Sequence, residues 1–150
     1  MKMKTAEEIL SEKDAGLVCL GPENTVAEAL ALMHRHGVGS VLVKEGEVYS
    51  GIYTEKDVVR DAANPGFVPQ EMKLKDTATS ELVFAPHDAA VYVLQDLMLG
   101  RRLRHVLVMK VGQALGLLSI GDLTRAVLNE KKEHLSQVSW QYYEDWKWKK

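Results

Sequence analysis

The chain has 150 residues, of which 46% are hydrophobic and 27% charged. That composition excludes a disordered chain and fits one compact domain or two small halves sharing a core. A formal net charge of −2 excludes a global pull toward nucleic acid or an anionic membrane, so any phosphate-binding group must be local.

The chain opens with MKMKTAEEIL, which carries two Glu and no uninterrupted apolar core, and it does not read as a signal peptide. Cys19 is the one cysteine, which precludes an internal disulfide and points to a reducing, cytoplasmic setting. No apolar run approaches the roughly 18–20 residues of a membrane helix. A short apolar stretch, GLVCL, leads to a turn at Pro22. An amphipathic helix follows, with Val26, Ala29, Leu30 and Met33 on one stripe that reads as core. Two apolar runs, SVLVK and YSGIY, flank a turn at Lys44, Glu45 and Gly46 and predict a hairpin. A second helix is expected to start near Thr54. Pro65, Gly66 and Pro69 end it and begin a linker, with one short helical turn around Met72 to Thr77.

The order then repeats: ELVFA, Pro86, a helix with Ala90, Val93, Leu94 and Leu97 as its stripe, the runs HVLVM and ALGLL around Val111 and Gly112, and a helix from Ser119. An offset of 65 places Val38 to Val43 on Leu103 to Val108. Upstream, an offset of 64 matches Pro22 with Pro86 and predicts one extra residue near Gly100, Arg101 and Arg102. The fold class expected is α/β of the α+β type. It has two pseudo-symmetric repeats, each strand-helix-strand-strand-helix, packed sheet to sheet. The expected boundaries are 1–64 for the first repeat, 65–76 for the linker, 77–130 for the second repeat and 131–150 for a charged, aromatic tail. Neither half alone, at roughly 60 residues, buries much of a core.

One polar pattern recurs. GIYTEKDVVR, from Gly51, and GLLSIGDLTR, from Gly116, share a Gly, a hydroxyl (Thr54, Ser119), an Asp three residues on (Asp57, Asp122) and a final Arg. The pattern fits a capped helix start, with the hydroxyl on a backbone N–H and an acid in the first turn. It equally fits a ligand site. A helix N-terminus attracts an anion, a hydroxyl can bond phosphate, and a carboxylate can accept from ribose hydroxyls. The two readings are compatible.

These motifs resemble cystathionine-β-synthase (CBS) domains, and the pair resembles a Bateman module over about residues 5 to 130. The residues carrying the likeness are Gly51 to Val58, Leu103 to Val108, and Gly116 to Leu123. The resemblance implies an adenine-containing ligand, one of AMP, ADP, ATP, NAD or S-adenosylmethionine, in clefts between the repeats. It implies that Asp57 and Asp122 hold ribose, and that Thr54 and Ser119 touch phosphate or ribose. Val18, Cys19, Leu82 and Val83 would line the adenine slot, and Arg104 and His105 would face phosphate. Lys56 stands where the family often has Arg, and Gly121 takes that place in the second copy. Gly39 and Ser40 replace Arg104 and His105 in the first copy, so the second cleft is expected to be the better site. A disc-like homodimer with helices at its interface is also implied.

Other candidates read as structural. His34 and His36, two apart on a helix, point to different sides and are not expected to bind metal. No catalytic constellation of nucleophile and base appears, so the chain is not expected to be an enzyme. The cluster Arg101, Arg102, Arg104 and His105 is short and lacks interleaved aromatics, which makes a local anion site the better reading than an RNA surface. Half of the Trp, Tyr and Phe residues lie between Trp140 and Trp148, in a segment that suits packing on a partner subunit or docking of an effector protein. The functional expectation is a non-catalytic module that senses adenine nucleotides and signals to a partner or its own dimer. The alternative is a constitutive interaction scaffold whose polar pairs are only caps.

Overall fold

The computed structural model describes residues 3–13, 16–80 and 82–135. The aromatic tail lies outside them. In chain order the elements are α1 (Ala6–Ser11), β1 (Cys19–Leu20), α2 (Val26–His36), β2 (Ser40–Glu45), β3 (Val48–Thr54), α3 (Glu55–Ala62), α4 (Leu74–Thr77), β4 (Phe84–Pro86), α5 (Val91–Gly100), β5 (His105–Lys110), β6 (Gln113–Ser119) and α6 (Ile120–Leu135). This is the expected mixed α/β fold with two three-stranded sheets. The chain divides into two compact units, a first of residues 15–83 and a second of residues 1–14 with 84–150.

In the first unit β1 runs parallel to β2, and β2 pairs antiparallel with β3. Thr25 caps α2 in a reciprocal box with Glu28, and Gly37 ends the helix at φ 62°, a left-handed conformation that costs glycine little. One face of α2 (Val26, Ala29, Met33) packs on Val41, Val43 and Tyr53, and Leu74 of α4 closes the same core. Burying each large apolar side chain contributes about 1.5–3 kcal/mol. The short helical turn expected in the linker is therefore a core element of this unit. Its backbone is tied in as well: Leu74 N–H donates to Asn24 O at 2.9 Å, and Val26 N–H to Met72 O at 2.8 Å.

The second unit repeats the design with β4 parallel to β5 and β5 antiparallel to β6. Here α1 does what α4 does in the first. Ala6 N–H donates to Ala89 O at 2.9 Å, Val91 N–H donates to Lys4 O at 3.0 Å, and Ala6 and Ile9 are buried. Each unit is thus completed by a helix that lies, in the chain, just before the other repeat's first strand.

Strand register corrects the alignment of the repeats. Cys19 pairs with Leu42 where Phe84 pairs with Leu107, and Leu20 pairs with Val43 where Ala85 pairs with Val108. The offset is 65 through the strands and helices alike, with Gly37 at φ 62° answered by Arg102 at φ 54°. No residue is inserted near Gly100, and the match of Pro22 with Pro86 is fortuitous. The buried face of α5 follows: it is Val91, Leu94 and Met98, while Val93 is exposed. By the same register the counterparts of Val18 and Cys19 are Val83 and Phe84.

Candidate functional site

Both repeated hydroxyl–carboxylate pairs cap helices. In the second unit Asp122 Oδ2 accepts from Ser119 N–H at 2.8 Å and Ser119 Oγ at 2.8 Å, while Asp122 N–H donates to Ser119 Oγ at 3.2 Å. In the first unit Thr54 N–H and Oγ1 donate to Asp57 Oδ2 at 2.9 and 3.0 Å. β6 and β3 deliver these caps to the same place, because Ser119 pairs with His105 and Thr54 with Ser40.

The other oxygen separates the two sites. Asp57 Oδ1 accepts from Arg60 Nη1 at 3.0 Å and from Thr79 Oγ1 at 3.2 Å, and Asp57 is 6% exposed. Arg60 Nε reaches Asp61 Oδ1 at 2.9 Å, and Arg60 Nη2 donates to Thr77 O at 2.8 Å. Asp61 Oδ2 also accepts from the buried Tyr53 hydroxyl at 2.9 Å and from Thr77 Oγ1. Burial pushes the Asp61 carboxyl up, but the hydrogen bonds from Arg60, Thr77 and Tyr53 outweigh it and hold the group below its ordinary range. Burial, and then the Asp61 carboxylate, raise the Tyr53 phenol. This network has no match in the second unit, where Leu118 and Ala126 occupy the places of Tyr53 and Asp61.

Among the described residues, Asp122 Oδ1 has only Arg125 Nη1 nearby, at 3.9 Å, and Arg125 is exposed. A pocket of about 160 Å³ opens there, lined by Ile9, Glu12, Lys13, Asp122, Arg125, Ala126 and Asn129. Lys13 Nζ donates to Asp122 Oδ2 at 2.9 Å and to Leu117 O at 3.0 Å. Burial pushes the Asp122 carboxyl up, yet the bonds from the Ser119 backbone, Lys13 and the Ser119 hydroxyl outweigh it and hold it below the usual range.

Arg104 precedes β5, and its carbonyl accepts from Ile120 N–H at 3.0 Å, which sets it beside the start of α6. Arg104, His105, Ser119 and Asp122 therefore gather at one end of the second unit's sheet. At the matching place of the first unit, Glu55 N–H donates to Gly39 O at 3.0 Å, and the Glu55 carboxylate carbon lies 3.1 Å from where a Cβ on Gly39 would stand. An acid fills the ground where Arg104 begins in the other unit. Lys56 is exposed on the first turn of α3, and none of the bonds to Asp57 comes from it.

Val18 and Cys19 are half-buried at β1, where Val18 O accepts from Leu42 N–H at 2.8 Å and burial pushes the Cys19 thiol up. Leu82 and Val83, also half-buried, lie just before β4. Among the described residues no group of three or more His, Cys, Asp or Glu could hold a metal ion, and no helix is long and apolar enough to cross a membrane.

Three neighbours of the carboxylates were not singled out from the sequence. Arg60 stood in the repeated pattern without a role. Thr79 lies 22 residues from Asp57, and Lys13 lies 109 from Asp122, so neither has a local signal.

The CBS-domain family model matches residues 6–64 and 74–129. The chain belongs to the CBS-domain family. It is 35% identical over 122 residues to a mitochondrial CBS domain-containing protein of Arabidopsis thaliana, covering 78% of this chain and 59% of that relative's length. The crystal structure of a CBS-domain protein from Agrobacterium tumefaciens is similar at 31% identity and TM-score 0.76, covering 82% of this chain and 92% of the other. A CBS-domain protein from Pyrobaculum aerophilum, solved in complex with AMP, shares the fold at 24% identity and TM-score 0.72, covering 85% of this chain and 97% of the other.

Proposed function

We propose that the chain is a non-catalytic regulatory module that binds an adenine nucleotide through its second unit. Asp122 accepts from the ribose hydroxyls there, Ser119 assists, and Arg104 and His105 meet the phosphate. The observation carrying this reading is the state of Asp122: it is a carboxylate held ionised at a helix start, beside a pocket, with Oδ1 open to a donor. Thr54 and Asp57 serve the first unit as a closed structural cap. The AMP complex of the Pyrobaculum relative supports an adenine nucleotide as the ligand class. AMP, ADP, ATP, NAD and S-adenosylmethionine are the candidates.

The module acts in the cytoplasm as a homodimer and passes occupancy to that dimer or to an effector protein. Ligand does this by binding one arrangement of the module better than another. A thermal-shift panel of the five ligands tests the reading. A ligand at 100 times its Kd should stabilise by about 2.7 kcal/mol. A flat panel would instead favour a constitutive scaffold.

A further inference from the structure

Oδ2 of Asp122 carries three donors: Ser119 N–H, Ser119 Oγ and Lys13 Nζ. That leaves it no capacity for another. A ribose diol grips a carboxylate through both oxygens, so one hydroxyl must displace a donor already on Oδ2. The two Ser119 bonds cap α6, and breaking them would orphan a backbone N–H at the helix end. Lys13 is the replaceable donor. It lies beyond the end of α1 on a flexible stem, its side chain is 29% exposed, and it lines the pocket. An ammonium displaced from its carboxylate keeps Leu117 O and water but loses its charged partner, and a nucleotide offers a new one in its phosphate.

We infer that Lys13 is an exchangeable cation of the nucleotide site: it rests on Asp122 in the free protein and transfers to the ligand's phosphate when ribose takes its place. This rests on the proposed nucleotide reading. It makes Lys13 a specificity-determining residue that separates nucleotides from nucleosides. A nucleoside evicts the ammonium and offers it nothing, whereas a nucleotide evicts it and receives it.

The test is calorimetry with AMP and with adenosine, on the full chain and on its Lys13→Met and Lys13→Arg variants at one ionic strength. Lys13→Met should bind AMP about tenfold more weakly, the loss of a charge-assisted bond. The same variant should bind adenosine equally well or more tightly. Lys13→Arg should keep the wild-type preference for AMP. A Lys13→Met variant that weakens both ligands alike, or neither, overturns the exchange and leaves the nucleotide reading standing. Wild-type protein that binds neither ligand overturns the exchange, and one that is also flat across the five-ligand panel overturns the nucleotide reading with it. In the unsubstituted protein, the Lys13 Nζ resonance should shift when AMP is added. A resonance unmoved at saturation overturns the exchange whether or not Lys13→Met folds.

Discussion

Arg60 Nη1 lies 3.0 Å from Asp57 Oδ1, whereas Arg125, the matching residue of the second unit, stands 3.9 Å from Asp122 Oδ1. The same two residue types sit three apart on a helix in both cases. The difference comes from what else holds the arginine. Asp61 Oδ1 and Thr77 O accept from Arg60, while Ala126, at the place of Asp61 in the second unit, offers Arg125 no side-chain acceptor.

A closed Asp57 should behave as a structural residue. Asp57→Ala removes the carboxylate half of the α3 capping box, leaving the Thr54 hydroxyl as cap, and leaves Arg60 and Thr79 with one fewer acceptor. It should cost about 2–3 kcal/mol of stability, read by urea unfolding, with little change in AMP affinity. Asp122→Ala should do the reverse: AMP binding weakens by roughly 1.5–3 kcal/mol with a smaller loss of stability. Equal effects on affinity would refute the division of labour.

The two glycines that open the repeated pattern should differ in tolerance. A Cβ on Gly51 would lie 2.7 Å from the backbone carbonyl oxygen of Thr79, which Ile52 N–H holds at 2.9 Å. A Cβ on Gly116 would meet Leu10 Cδ2 at 2.7 Å, the far end of a flexible side chain. Gly51→Ala should therefore cost at least about 1–3 kcal/mol, and Gly116→Ala distinctly less. Thermal melts of the two variants measure the order, and a reversed order would contradict the geometry.

Nucleotide stoichiometry should show the asymmetry of the phosphate ground. Calorimetry is expected to find one tight site per chain, lost or weakened at least tenfold by Arg104→Ala. Two equal sites would show that Glu55 beside Gly39 does not repel the phosphate.

Acid should weaken the second unit through Asp122. Its folded pKa lies below the unfolded value, so its contribution is present above about pH 3.9 and fades as pH falls through the folded value. Lys13→Met removes one of the groups holding that value down. The carboxyl of Asp122, followed by NMR, should then titrate at higher pH in the variant. An unmoved titration would mean that Lys13 does not set it.

A homodimer built through the helices that follow Thr25, Thr54, Ala90 and Ser119 would cover Val59, Val93, Leu99 and Leu128, which are exposed in the single chain. Deleting residues 139–150 should leave a nucleotide-binding dimer by light scattering. Monomers from the truncated chain would move the tail's role from effector docking to dimer packing.

By itself the sequence determined what is local. The hydroxyl and carboxylate three residues apart are enough to cap a helix wherever they stand, so Thr54 with Asp57 and Ser119 with Asp122 were legible as pairs. The hairpins were legible too, because a short turn at Gly46 or Gly112 and flanking apolar runs suffice. The repeat was visible in the same way, and with it the fold. What tertiary structure decided is which carboxylate stays open. That depends on residues brought in from far along the chain, Lys13 onto Asp122 and Thr77 and Thr79 onto the Asp57 network. It also placed the second repeat's counterpart of Cys19 at Phe84, because register is set by hydrogen bonds between strands and not by the match of two prolines. Capping is a contact within one helical turn, whereas the closing of a carboxylate by an arginine or a lysine needs partners that only the folded chain brings together.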